Sequence, residues 1–187
     1  MTFQFRIQIM GITKPPVWRR IEVDAATTFE EFHGIIQYAF GWEFSHLYLF
    51  SEMGFRSSFQ IQDPALANDG IGEDGDSTKS QLKDIFKKEK QRYIYIYDFG
   101  DSWEHKITLE KISDAQGTFP VCLAGKGKCS PGDCGGVRAY QSLKEAINDP
   151  EHPDHEEFRD WFGLEDEDVW DPKEFDVKEV NSALKNF

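Results

Sequence analysis

A stretch of regular alternation between residues 92 and 112 constrains the fold of this chain more than any other feature. The segment from 93 to 97 places tyrosines on one face and isoleucines on the other, so both faces of such a strand can be buried. Residues 99–102 include glycine, aspartate and serine, which are typical of turns. The returning segment has a largely apolar face made of Trp103, His105, Ile107 and Leu109. This pattern predicts a β-hairpin whose first strand is central in a sheet.

The N-terminal residues predict a second hairpin. Apolar side chains alternate with polar ones at 3–9 and again at 17–23, which is typical of strands with one buried face. Pro15 and Pro16 cannot donate to a strand ladder and therefore belong to the connection.

One amphipathic helix is expected after this hairpin. Thr28 and Glu31 have the spacing of a capping box, and the apolar residues that follow recur at helical spacing until Gly41. Further strands are predicted at 47–50 and 55–61. The resulting strand–strand–helix–strand order, extended by the central hairpin, indicates an α+β fold with a β-grasp-like core.

Two irregular segments and several helices are predicted in the rest of the chain. The segment 63–80 is rich in small polar residues and is predicted to be an exposed loop, and the glycine-rich segment 122–136 is predicted to be irregular. Helices packed on the sheet are expected at 140–148, 154–162 and 177–184. No linker demands a second domain, so we expect one domain over 1–187, with a mixed sheet and helix core at 1–144 and an acidic helical part at 145–187.

The charge of the chain is concentrated near its C-terminus. The net charge is −13, and residues 145–179 alone hold 15 acidic and 3 basic side chains. No broad basic surface is predicted, so direct binding of nucleic acid is not expected. The acidic helical face has three interpretations: a solvated surface, a docking site for a basic protein partner, or an imitation of a nucleic-acid backbone.

The cellular location is expected to be the cytoplasm, with no membrane association. No apolar run approaches the roughly 20 residues that span a bilayer, and residues 1–6 alternate like a strand instead of resembling a signal peptide. Three cysteines in such a chain favour reduced thiols or metal ligands over a disulfide framework.

Titratable side chains are densest around the turn of the central hairpin. The candidate functional cluster consists of Asp98, Asp101, Trp103, Glu104 and His105, joined by Asp133, Gly135 and Gly136 from the glycine-rich segment. Carboxylates beside a histidine can act in acid–base chemistry or bind a metal. The alternative is structural: Asp101 closes the turn, Asp98 pairs with an arginine, and His105 lies in the core beside Trp103.

A zinc site is the second candidate. Its ligands would come from Cys122, Cys129 and Cys134, with His105, His152 or His155 as the fourth. Structural zinc sites usually contain closely spaced cysteine pairs, and only Cys129 and Cys134 approach that spacing. Small buried or loop thiols are the other interpretation.

Several of these motifs together resemble the plasmid pRiA4b ORF-3-like family. The resemblance is carried by Tyr97–His105, Glu110, Cys122–Gly125, Pro131–Gly136 and Tyr140, and also by Gln8–Arg20, Gly41–Trp42, His152–His155, Trp161, Phe175 and Asn181. It implies a single α+β domain, and the presence of family members on mobile elements implies an association with mobile-element or nucleic-acid-related systems. Position 132 departs from the pattern that the resemblance implies. This chain has a glycine there, whereas the family usually has the glutamate of Pro-Glu-Asp.

The resemblance implies no established chemistry. A recombinase would need a serine or tyrosine nucleophile among several arginines, and the arginines here are few and scattered. We therefore expect a non-enzymatic binding or interaction module. The alternative is a metal-dependent or acid–base enzyme, similar to a hydrolase, that uses the turn cluster with the 122–134 loop. Such an enzyme would require the cluster to converge on an open pocket.

Overall fold

A computed structural model describes residues 1–69, 75–130, 134–165 and 167–187, with eight strands and five α-helices in these ranges. The strands are β1 (Thr2–Ile9), β2 (Trp18–Asp24), β3 (Tyr48–Ser51), β4 (Gln60–Gln62), β5 (Gly75–Asp76), β6 (Arg92–Tyr97), β7 (Trp103–Ser113) and β8 (Val121–Lys126). The helices are α1 (Phe29–Phe40), α2 (Leu82–Ile85), α3 (Gly136–Ala146), α4 (His155–Phe162) and α5 (Val177–Ala183). The class is α+β, as the pattern predicts.

All eight strands form one sheet in the order β5-β4-β3-β6-β7-β1-β2-β8. The predicted hairpins β1–β2 and β6–β7 are both confirmed, and β6–β7 lies between β3 and β1. All of these pairs are antiparallel, so β2 and β3 run in the same direction. The connection that contains α1 therefore crosses the face of three intervening strands.

Helix α1 covers one face of the sheet. Its N-terminus has the predicted capping box, in which Thr28 accepts a hydrogen bond from the Glu31 amide at 3.2 Å, and Gly41 ends it in a left-handed conformation. Phe29 and Phe32 lie fully buried against the sheet, where their ring centroids are each 5.0 Å from Phe50 and Phe5 respectively. The aromatic residues of α1 thus make the core with the inward residues of the central strands.

The opposite face of β6 is covered by a short connection. Ile96 is fully buried, and the 3₁₀ turn Gly54–Arg56 lies against it. The prediction of a strand from residue 55 is therefore wrong, since pairing begins only at Gln60. Ser57 accepts a hydrogen bond from the Met53 amide at 2.8 Å, so a polar side chain stabilises a turn here.

The segment predicted as an exposed loop at 63–80 has local structure at both ends. A 3₁₀ helix covers Pro64–Asp69, and β5 pairs in parallel with β4. Residues 70–74 lie outside the described part of the chain.

Strand β8 corrects the prediction that residues 122–136 are irregular throughout. It pairs with β2 at the edge of the sheet. Gly125 lies within this strand, and the Phe175 ring occupies the space in which a side chain at Gly125 would lie. The glycine therefore serves a close approach in an edge strand and does not mark a loop.

The C-terminal helices pack beside this edge. Helix α5 contacts β8 and α1, and Tyr140 of α3 lies 6.0 Å from the Trp170 ring between centroids. Among the described residues, no helix is long and apolar enough to span a bilayer.

Candidate functional site

Asp98 organises the turn of the central hairpin. Its side chain is largely buried, and Oδ1 accepts hydrogen bonds from the amides of Gly100 at 3.0 Å and Asp101 at 3.3 Å. Its backbone is left-handed, with φ of 56°, and its carbonyl accepts a hydrogen bond from the Ser102 amide. His46 Nε2 lies 3.8 Å from Oδ2. These contacts give the carboxylate a structural role in closing the turn.

Asp101 connects this turn to the start of α3. Its Oδ2 accepts a hydrogen bond from the Gly135 amide at 3.0 Å. Gly136 is left-handed, with φ of 77°, and a side chain there would lie 2.8 Å from the Asp101 carbonyl oxygen. The two glycines therefore allow the turn and the helix to approach closely. Asp133, the other member of the predicted cluster in this segment, lies outside the described residues.

Glu104 and His105 lie on opposite faces of β7, as successive residues of a strand must. His105 and Trp103 are buried in the core at 0% and 1% exposure, and Nδ1 of His105 lies 2.9 Å from the Trp103 carbonyl oxygen. Burial lowers the pKa of His105 to about 3, so the imidazole is neutral. The predicted cluster consequently does not converge on one point of the surface.

The three cysteines are free thiols with different surroundings. Cys122 lies in β8, with Sγ 3.5 Å from the Ala124 carbonyl oxygen. Cys129 and Cys134 both lie close to Ser130, and burial raises their pKa values to about 12 and about 11. Both thiols are therefore protonated near neutral pH in the metal-free protein.

The histidines proposed as further zinc ligands are engaged elsewhere. His155 is largely buried at the start of α4, where its Nδ1 lies 2.9 Å from the Ala146 carbonyl oxygen. His152 accepts a hydrogen bond from the Asp154 amide at 3.2 Å. Within the part of the chain that the structure describes, no three histidine, cysteine or acidic side chains are grouped as metal ligands would be.

A cleft of about 460 Å³ lies where the C-terminal end of α1, the segment after β8 and the C-terminal helices meet. Its apolar lining comprises Tyr38, Ala39, Phe40, Phe162, Phe175, Val180 and Ala183. Its polar lining comprises Arg19, Lys128, Cys129, Ser130, Glu174, Asp176 and Glu179. Small-molecule sites in proteins have this size and this mixture of apolar walls with a few polar groups.

Arg19 forms part of the cleft although it is only 5% exposed. Its Nε donates to the Ala39 carbonyl at 3.0 Å, and Nη1 donates to the carbonyls of Trp18, Lys126 and Gly127 at 3.0–3.2 Å. The guanidinium carbon lies 5.1 Å from the Phe40 ring centroid and 4.7 Å from that of Phe175. The charged group is thus held rigidly by backbone carbonyls and aromatic rings.

Ser130 is the second buried polar group of the cleft, at 3% exposure. Its carbonyl oxygen accepts a hydrogen bond from Trp42 Nε1 at 3.1 Å, which fixes the backbone. Its hydroxyl has no hydrogen-bond partner among the described residues, although the thiols of Cys129 and Cys134 are close. A buried hydroxyl without a partner is costly and requires an explanation.

A comparison with family models tests the resemblance that the sequence motifs indicate. The model described as plasmid pRiA4b ORF-3-like protein matches residues 1–179. The chain belongs to the plasmid pRiA4b ORF-3-like family. The resemblance stated from the sequence is thereby confirmed.

Two relatives extend this result. The chain is 36% identical over 172 residues to the uncharacterized protein y4hQ of Sinorhizobium fredii, covering 91% of this chain and 84% of the relative. It also matches the crystal structure of MM3350, a protein of unknown function from Methanosarcina mazei, at 33% identity and a TM-score of 0.80 over 96% of each chain. The α+β fold is therefore shared with a solved structure.

In this member of the plasmid pRiA4b ORF-3-like family, two of the family motifs meet in space. The Tyr97–His105 motif supplies the hairpin turn, and the motif that ends at Gly136 supplies the helix start to which Asp101 is bonded. The motif in the first hairpin supplies Arg19, and the isolated Phe175 covers its guanidinium. Sequence reasoning missed the cleft, although Arg19, a charged residue on the same buried face of β2 as Ile21 and Val23, was the signal for it.

Proposed function

We propose that this protein is a non-enzymatic binding module whose binding site is the cleft around Arg19. One observation carries the proposal: Asp98 and Asp101 form internal hydrogen bonds and His105 is buried, while the cleft lies elsewhere and has apolar walls. Buried polar groups in a concave, mainly apolar site are typical of ligand recognition. We place its function in the cytosol, where the three free thiols would stay reduced.

The chemistry of the cleft favours a small molecule over a nucleic acid. Its rim holds Glu174, Asp176 and Glu179, which repel a polyphosphate backbone. Lys128 is the other basic residue of the lining, and its Nζ lies 2.5 Å from Glu174, so its charge is already neutralised. If the protein acts in a mobile-element system, it would do so by binding a small ligand and not by binding nucleic acid directly.

A screen of small molecules by thermal unfolding tests the proposal. A ligand present at 100 times its Kd should stabilise the protein by about 2.7 kcal/mol, which corresponds to roughly 5–10 °C in a domain of this size. Ala183→Trp places a large ring in the cleft, whereas Ser182→Trp places the same ring on the exposed side of α5. The stabilisation should disappear in the first variant and persist in the second.

The same two variants can also contradict the proposal. If ligands raise the melting temperature of Ala183→Trp as much as that of the wild type, the cleft is not the binding site. Far-ultraviolet circular dichroism of both variants ensures that a lost shift reflects a blocked cleft and not a lost fold.

The enzymatic alternative has one supporting observation. Asp98 and Ser102 adopt left-handed backbones, with φ of 56° and 52°, and strained residues often lie at active sites. The hydrogen bonds to Asp98 account for this conformation within the turn itself. An enzyme that uses Asp101 should lose activity in Asp101→Asn, whereas a structural Asp101 should tolerate asparagine because the amide oxygen still accepts a hydrogen bond.

A further inference from the structure

We propose that the cleft binds a small organic carboxylate with an apolar body, and that Arg19 and Ser130 hold its carboxylate group. This inference rests on the proposed function, because it assigns a ligand class to the same cleft. Beyond the proposed function, this inference names the side chains that recognise the ligand and the charge that the ligand carries.

Arg19 has hydrogen-bonding capacity that the described residues do not use. A guanidinium carries five N–H donors, and those on Nε and Nη1 are directed to four backbone carbonyls. Nη2 makes no hydrogen bond to any described residue, and no carboxylate within the described ranges lies close enough to form an ion pair with Arg19. Buried charges are normally paired. The structure therefore leaves one cationic edge available to an anion.

The neighbouring rings determine the direction from which a ligand can approach this edge. The rings of Phe40 and Phe175 both lie beside the guanidinium, with centroids 5.1 Å and 4.7 Å from its central carbon, and they restrict approach from their directions. The free edge belongs to a side chain that lines the cleft. An approach in the plane of the guanidinium is the geometry in which carboxylates bind arginine.

Ser130 supplies a second donor for the same ligand. Ser130 lines the cleft with Arg19, and its buried hydroxyl has no hydrogen-bond partner among the described residues. Arg19 and Ser130 line the same cleft, with Cys129 beside Ser130 in the lining. A carboxylate oxygen bound by Ser130 would satisfy this hydroxyl, which otherwise bears the cost of burial without a hydrogen bond.

The rest of the cleft selects a singly charged ligand with an apolar body. Phe162, Val180 and Ala183 provide apolar walls, and the volume of about 460 Å³ is that of a small-molecule site. The acidic rim opposes a second negative charge, since Arg19 is the one cation of the lining that has no acidic partner in the described structure. Phosphate esters and polyanions are therefore disfavoured relative to monocarboxylates.

Matched pairs of carboxylates and amides test the inference by NMR titration of the full chain labelled with nitrogen-15. The probes are butyrate, hexanoate, 3-phenylpropionate and indole-3-acetate, each compared with its primary amide, and inorganic phosphate. At least one carboxylate should shift the resonances of cleft residues and bind about tenfold or more tightly than its amide. Inorganic phosphate should bind more weakly than that carboxylate.

Three variants assign the effect to the two side chains. Ser130→Ala should weaken binding of the carboxylate severalfold, and Arg19→Lys should weaken it further because lysine lacks the planar fork. Arg20→Gln is the matched control, since the neighbouring Arg20 is paired with Glu110 at 2.6 Å. It should leave the affinity unchanged. Ser130→Ala keeps the test valid if substitution of the buried Arg19 prevents folding.

The outcomes separate this inference from the proposed function. Equal binding of an acid and its amide in the cleft, or an unchanged affinity in Ser130→Ala, would overturn the assignment of a carboxylate and leave the binding module standing. If no probe shifts a cleft resonance at 10 mM, the carboxylate assignment is wrong. If, in addition, Ala183→Trp keeps the thermal stabilisation by every compound that stabilises the wild type, the proposed function is also wrong.

Discussion

The side-chain amide of Asn181 forms two hydrogen bonds with the backbone of Cys122. The Cys122 amide donates to Oδ1 at 2.8 Å, and Nδ2 donates to the Cys122 carbonyl oxygen at 2.8 Å. Asn181 therefore occupies the position that a further strand would have beside β8. This contact fixes α5 against the edge of the sheet, and α5 forms one wall of the cleft.

Removing this amide should destabilise the protein. In Asn181→Ala, two partly buried backbone groups of β8 lose their partners, so the free energy of unfolding should fall by about 1–3 kcal/mol. Denaturant unfolding measures the change. The control is Ser182→Ala, an exposed neighbour on the same helix, which should change stability by less than about 0.5 kcal/mol. Similar values for the two variants would show that the strand edge does not depend on Asn181.

The contact between Asp101 and Gly135 predicts that the acceptor oxygen matters more than the charge. Asp101→Ala removes the acceptor of this exposed hydrogen bond and should reduce the free energy of unfolding by about 0.5–1.5 kcal/mol. Asp101→Asn retains an acceptor oxygen and should lose less than half as much. Urea unfolding of both variants checks this order. Equal losses would indicate that the negative charge itself stabilises the turn.

A side chain at Gly136 would cost free energy for two reasons, its contact with the turn and its left-handed backbone. A second glycine allows the two costs to be measured separately. Gly136 and Gly163 both have left-handed backbones, but a side chain at Gly163 would meet nothing within 4 Å. Gly163→Ala should cost about 1–2 kcal/mol from the backbone alone. Gly136→Ala should cost at least about 1 kcal/mol more, because the turn must move away from α3. Thermal or urea unfolding of the pair provides the measurement.

The central hairpin, the N-terminal hairpin and helix α1 could be predicted from the sequence because alternation and capping are local signals. The two-residue period from Tyr93 to Tyr97 and the capping box at Thr28 are both present in the structure. Strand β8 could not be predicted in this way. Its Gly125 is needed for the Phe175 ring, a residue 50 positions later, and no local pattern carries that information.

The candidate site shows the same limit. Residue preferences near a glycine predict a turn here, but they assign its closure to Asp101, whereas Asp98 accepts the hydrogen bonds of the turn and Asp101 accepts one from Gly135. The cleft combines β2, the end of α1 and the C-terminal helices, so its residues are far apart in the chain. The sequence signal was present in Arg19, a charged residue at a buried position of β2, but its neighbours could not be inferred from it.

The buried histidines predict a loss of stability in acid. Burial lowers the pKa values of His33 and His105 from 6.5 to about 3. Below pH 6.5 the unfolded chain binds protons at these positions that the folded chain does not bind. Their contribution to stability is therefore complete above pH 6.5 and decreases as the pH falls towards 3.

Two measurements test this pH dependence. Imidazole resonances of both histidines should show the neutral form down to about pH 4. In His33→Gln, the difference in unfolding free energy between pH 7 and pH 4.5 should be smaller than in the wild type. A histidine resonance from either position that titrates near pH 6 would contradict the prediction.

Thiol reactivity provides the last prediction. Because burial raises the pKa of Cys129 to about 12 and that of Cys134 to about 11, both should react slowly with Ellman's reagent at pH 8, and three thiols should react after unfolding. Elemental analysis of protein purified without a metal-affinity tag should give well below one zinc per chain. One zinc per chain with protected cysteines would instead support the ligand set of Cys122, Cys129 and Cys134.

The position of the central hairpin also has a consequence for synthesis of the chain. Strand β1 is made first, but one of its two neighbours is β7, which ends at Ser113. At about 5–20 residues per second, a ribosome needs roughly 5–20 s to add that partner. For this time the emerging N-terminal hairpin has an open edge beside apolar Phe3, Phe5 and Ile7, which is a typical site for chaperone binding or for pairing between nascent chains.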